Sequence, residues 1–143
     1  MDASDRKPWI RAAILVGVVY FVVGMLFAAL AKPAASDQVR FMWRLAAWVA
    51  SAAGYAAHIG YEHFQLNNSP RMTALHAAMA VALGAFLLAL AANIHDLGSA
   101  SGYRPRMLIA LVAWPLLTAV PAFLVALASA AVLSRLTTKR LTG

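Results

Sequence analysis

Residues 41–63 read FMWRLAAWVASAAGYAAHIGYEH. Within this apolar stretch Arg44, Trp48, Ser51, Tyr55, His58 and Glu62 follow one another in steps of four and three. Such steps keep one line of a helix facing one direction. Most of the residues between them are alanine, valine or glycine. A polar line on a helix in a lipid bilayer must meet protein, water or a headgroup. The stretch therefore predicts a helix that turns this seam toward neighbouring helices inside a bundle.

The composition around the seam agrees. Of 143 residues, 63% are hydrophobic and 12% charged, where a soluble domain carries roughly twice that charged fraction. This predicts an integral membrane protein. The absence of cysteine removes disulfides, thiolate metal sites, iron–sulfur clusters and thiol catalysis. The net charge of +7 resides at segment ends, where basic residues anchor to anionic headgroups. No basic stripe runs along any one element, so the expected partner is the lipid bilayer and not nucleic acid.

Four apolar stretches reach the roughly 20 residues that a spanning helix needs. They predict helices over about 10–31, 41–63, 71–95 and 106–134, in a single membrane domain covering 1–143. Lys32-Pro33 ends the first. Asn67-Asn68-Ser69-Pro70 is a turn followed by a helix start, with Ser69 as cap and Pro70 at the first helical position. Pro105 plays the same part for the fourth, and Gly98–Gly102 reads as a flexible loop. Ala29-Leu30-Ala31 has the small-x-small form of a signal-peptide cleavage site. The run before it is longer than an ordinary signal core, so the first segment is read as a retained helix. It carries its own packing line: Ala13, Gly17, Tyr20, Gly24, Ala28 and Ala31.

Similar lines occur on the third segment (Thr73, Ala77, Ala80, Gly84, with His76 beside them) and the fourth (Thr118, Ala122, Ala126, Ser129). Small faces let helices approach closely, and short connections favour antiparallel neighbours. The expected fold class is all-α: an antiparallel bundle of four transmembrane helices. Pro115 and Pro121 should bend the fourth helix, with Thr118 placed to satisfy a freed carbonyl. Arg6, Lys7, Arg11, Arg71, Arg135, Lys139 and Arg140 share one side; Lys32, Arg40, Arg44, Arg104 and Arg106 share the other. Seven against five places both termini in the cytoplasm, with the protein in the inner membrane.

The chemistry-bearing residues gather at two ends. At one, His58 and His76 lie on facing helices with Glu62 one turn beyond His58, and Met72 and Met79 flank His76. Two histidines can supply both axial ligands of a haem b. His58, Glu62, His76 and Met79 are a candidate transition-metal set. Glu62 and His58 are also candidate titrating groups of a small homo-oligomeric transporter. The plainer reading is that His58 and Tyr55 hydrogen-bond to His76 or Tyr20 and fix helix register. At the other end lie Arg40, Arg44, Asn93, His95 and Asp96, with Arg44 expected to snorkel or to pair with Asp96. Trp9, Trp43, Tyr61, Phe64 and Tyr103 fit aromatic belts.

No nucleophile–base spacing is recognisable, and only five acidic residues exist, which argues against catalysis without a cofactor. The sequence is read as a structural or accessory membrane component without its own catalysis or cofactor, associating with itself or with another membrane protein. The alternative is a haem- or metal-binding redox bundle on His58 and His76.

Overall fold

Ser36 and Ser69 decide where two of the helices begin. The Ser36 hydroxyl accepts from the Val39 amide at 3.3 Å, and Asp37 follows in the first turn, where a negative charge suits the positive end of the helix dipole. The Ser69 hydroxyl accepts from the Met72 amide at 3.4 Å, and Asn67 takes a left-handed φ of 49° that reverses the chain, a conformation asparagine tolerates. The computed structural model describes residues 7–34, 36–97 and 105–141. It contains four helices: α1 (Lys7–Ala31), α2 (Asp37–Phe64), α3 (Pro70–Leu97) and α4 (Pro105–Leu141). The expected Gly98–Gly102 loop, and Arg6, Tyr103 and Arg104, lie outside the described residues.

Three of the four helices are long and apolar enough to cross a membrane: over Pro8–Ala31, Pro70–Asp96 and Leu108–Leu136. α2, 28 residues long, is not among the three: Arg, Trp, Tyr, Ser, Gly, His and Glu within its apolar stretch lower its hydropathy.

α3 is the central helix. It packs extensively on α1 and α4 and less on α2, while α1 does not touch α4 among the described residues. The small-residue lines are what permit this. A Cβ placed on Gly84 would lie 2.7 Å from the Tyr20 Cβ and 3.0 Å from the Gly17 carbonyl oxygen. One on Gly17 would lie 3.0 Å from the Ala80 carbonyl oxygen, and Gly24 fits against Leu88 in the same way. Because Gly17 meets Ala80 and Gly24 meets Leu88, α1 and α3 run parallel. Phe27 instead meets Trp43 (ring centroids 6.0 Å apart) while Tyr20 faces Gly54, so α1 and α2 run antiparallel. The expected pairing of sequence neighbours is thus altered: α3 joins α1 more closely than it joins α2, because two glycine-bearing faces come nearer than larger side chains allow. Ile59, Ala74, Ala77 and Ala126 form a buried cluster among α2, α3 and α4.

The seam on α2 divides. His58 and Glu62 are buried, Ser51 and Tyr55 half-buried, and Arg44 and Trp48 exposed, Trp48 to 77%. α2 meets α3 and α4 through Tyr55, Ile59 and Glu62, so only that half of the seam is enclosed. α4 runs unbroken through Pro115 and Pro121. The Thr118 hydroxyl bonds the carbonyls of Trp114 (2.9 Å) and Pro115 (3.1 Å). The carbonyl that Pro115 frees is one turn back, on Leu111. The expected repair therefore does not form: the short side chain reaches only the carbonyls three and four residues before it.

Candidate functional site

Glu62 is a carboxylate with no exposure at all. It stands near the end of α2, in the last turn before the chain reverses. One oxygen, Oε2, lies 2.9 Å from His76 Nδ1 on α3. The same oxygen accepts from the Asn68 side-chain amide in the connecting loop, and the Asn68 backbone amide donates to the Glu62 carbonyl at 3.2 Å. Two helices and their connection are thereby tied at one atom. An ionised carboxylate only accepts, so in that state His76 Nδ1 is the donor.

α1 completes the arrangement. The Trp9 ring stacks on the His76 imidazole, with centroids 4.2 Å apart and planes within 4°. Trp9, expected in an aromatic belt, thus also makes a ring contact with His76 of the Glu62–His76 pair. His58, one turn before Glu62, is 3% exposed, and its Nε2 lies 3.9 Å from Glu62 Oε1, beyond hydrogen-bonding distance. His58 Nε2, Glu62 Oε1, His76 Nε2 and Thr73 Oγ1 are all buried without a hydrogen-bond partner. Buried polar atoms normally find one, so this end of the bundle keeps unspent capacity for hydrogen bonds or ligation.

His58, Glu62 and His76 are thus brought together as expected. Met79 is not. Met72 and Met79 are exposed while His76 is 2% exposed. Residues 72 and 79 sit some 40–60° to one side of His76 around the helix at about 100° per residue; the enclosed side holds Thr73, Ala77 and Ala80. Among the described residues no three His, Cys, Asp or Glu side chains converge as a metal-holding set. The four-ligand reading of His58, Glu62, His76 and Met79 also loses its thioether, because Met79 faces outward. What persists is a pair of imidazoles, one held from behind by a carboxylate, the arrangement that orients metal-bound histidine elsewhere.

Tyr55 does not bond His76 or Tyr20. Its hydroxyl donates to the Ala122 carbonyl of α4, using that oxygen's second lone pair. Tyr20 Oη is buried and unpartnered. Ser51, between the two halves of the seam, is half-buried. At the far end, Arg40 pairs with Asp37 on its own helix at 2.7 Å. Asn93 donates to the Ala89 carbonyl at 2.8 Å. Arg44 borders a groove between α1 and α2 together with Lys32 and Arg40. A second, apolar groove of about 730 Å³ runs between α2 and α4, past Tyr55, Ile59, Phe64 and Val132. Neither groove is lined by His58, Glu62 or His76.

Sequence reasoning missed Asn68 and Trp9. Asn68 was legible only as a turn residue, and nothing local announces that its side chain folds back six positions. Trp9 and His76 are joined by α1–α3 packing alone. Comparison of the chain with known family models, curated proteins and solved structures found no match.

Proposed function

We propose that this chain is an integral protein of the cytoplasmic membrane, an antiparallel bundle of four transmembrane helices with both termini in the cytoplasm, serving as a structural or accessory subunit without catalysis of its own. The observation that carries the reading is the outward apolar surface. Only 11%, 39% and 11% of the most apolar windows of α1, α3 and α4 are buried within the chain. Helices this apolar and this uncovered need lipid or further protein around them. α2 crosses with them because Glu62 and His58 turn inward, where the bundle rather than lipid receives them. The basic excess at the end bearing Lys7, Arg11, Arg71 and Arg135 orients that end to the cytoplasm. Small exposed residues on α2, among them Ala53, Ala56 and Ala57, suit close association with a second copy or another membrane protein.

Carbonate extraction of membranes from cells expressing the chain tests insertion, and single cysteines introduced at Ser36 and Ser69 test orientation against a background free of thiols. The expected result is retention in the pellet, with the residue 69 thiol reached only from the cytoplasm. Recovery in the soluble fraction defeats the membrane reading. Native mass spectrometry in mild detergent then reports the copy number and any co-purifying subunit.

A second reading rests on the two buried imidazole Nε2 atoms and the carboxylate behind His76. In this reading His58 and His76 hold a haem b or a transition metal. Absorption spectra before and after dithionite, with metal analysis, decide it. A Soret band that His58→Ala abolishes supports it; a flat spectrum and no bound metal from folded protein at full yield defeats it.

A further inference from the structure

The open groove between α1 and α2 lies at the end opposite the Glu62 cluster and plays no part in the reading above. It encloses about 540 Å³. Its floor is small and apolar, Gly24 and Ala28 from α1 with Trp48 along one side. Its rim carries three cations: Lys32, where α1 ends, and Arg40 and Arg44, one turn apart on α2. Asp37 neutralises Arg40 at 2.7 Å. Among the described residues no carboxylate lines the groove, so Lys32 and Arg44 stand as two like charges above an apolar slot. Like charges held together repel unless an anion lies between them. The ligand with matching chemistry carries one diffuse negative charge at one end and hydrocarbon at the other.

We propose that this groove binds an anionic phospholipid, its phosphodiester between Lys32 and Arg44 and an acyl chain along Gly24, Ala28 and Trp48. Arginine presents a planar fork of donors to phosphate oxygens and lysine a mobile point charge. The exposed Trp48 indole offers an apolar face to hydrocarbon along the groove. On the α1 side the room lies over the exposed Ala28, whose small side chain leaves the slot open; a side chain at Gly24 would turn toward Leu88 of α3 instead. The site lies at the end of a helix apolar enough to cross a membrane, which favours a lipid over a free phosphate ion. The proposal rests on the membrane reading above.

The test uses the full chain. Membrane fractionation comes first: wild-type protein in the soluble fraction overturns the membrane reading, and this proposal with it, before any lipid is added. Protein purified from membranes in mild detergent and stripped of lipid is then titrated with phosphatidylglycerol, phosphatidylcholine or inorganic phosphate, and bound lipid is read by native mass spectrometry. One cation near an anionic lipid surface is worth about fivefold in affinity, so Lys32→Ala with Arg44→Ala should weaken phosphatidylglycerol binding about 25-fold. Arg11→Ala with Arg71→Ala removes the same charge at the other end and should leave binding within about twofold of wild type, since those charges lie far beyond a screening length. The charge-conserving pair Lys32→Arg with Arg44→Lys should retain most of the binding, which separates loss of charge from loss of fold. Equal weakening by both alanine pairs, equal binding of phosphatidylcholine, or displacement of the lipid by equimolar inorganic phosphate each overturns the proposal.

Discussion

Glu62 Oε2 and His76 Nδ1 lie 2.9 Å apart between two helices, with neither side chain open to solvent. The pair joins the end of α2 to the start of α3, and Asn68 shares the same carboxylate oxygen. Deleting the acid strands the buried His76 donor and removes the acceptor of the half-buried Asn68 side-chain amide. Glu62→Ala should therefore cost about 3 kcal/mol, as breaking buried pairs does. Glu62→Gln keeps an acceptor and should cost about half as much. Reversible unfolding in mixed micelles measures both; an alanine variant as stable as wild type would show that the contact contributes nothing.

The stacked rings of Trp9 and His76 predict a coupling that neither single variant reveals. In a double-mutant cycle with Trp9→Ala and His76→Ala, the pair should show an interaction energy of about 1 kcal/mol. Trp9→Phe should preserve most of it. Simple additivity would mean that the rings meet without stabilising one another.

Two glycines that look alike in sequence should behave oppositely. A methyl group at Gly84 meets the Tyr20 Cβ at 2.7 Å and a backbone oxygen at 3.0 Å, whereas one at Gly60 meets nothing within 4 Å. Gly84→Ala should destabilise by about 1–3 kcal/mol through overpacking. Gly60→Ala should be neutral or stabilise by up to about 1 kcal/mol, since alanine is the better helix former. Thermal unfolding of the two variants side by side checks this, and a tolerated Gly84→Ala would argue against the close approach of α1 to α3.

Tyr55 is a single-atom test of how α2 meets α4. Tyr55→Phe removes only the hydroxyl that donates to the Ala122 carbonyl. The expected loss is about 0.6–1.7 kcal/mol, the range of interhelical hydrogen bonds between membrane helices. An unchanged unfolding midpoint would place the α2–α4 contact on Ile59 and its apolar neighbours alone.

Helix number, the Ser69 cap, the two proline starts and the small-residue lines of α1 and α3 were legible because each depends on spacing within about a dozen residues. The start of α2 was not. Hydropathy marks where an apolar surface begins, at Phe41, but Ser36 sets where the helix begins. The enclosed half of the seam, His58 and Glu62, was legible as an inward line; the exposure of Arg44 and Trp48 was not, because periodicity tells which residues share a face and not how far along the helix that face is covered. Met79 shows the same limit around the circumference: it neighbours His76 on the helical wheel yet falls outside the enclosed arc. Trp9 and Asn68 reach the site through packing and through a loop reversal, and neither has a local signature.

The parallel seating of α1 on α3 also sets an order in time. A ribosome delivers α1, then α2 with its carboxyl group, and only afterwards the residue that receives that group. Until position 76 has emerged, a nascent α1–α2 hairpin carries Glu62 with only His58 of its own helix nearby, at 3.9 Å, and Trp9 lacks the imidazole on which it stacks. The first two helices therefore wait for the third, and the step that shelters Glu62 is the same step that brings α1 to its final neighbour.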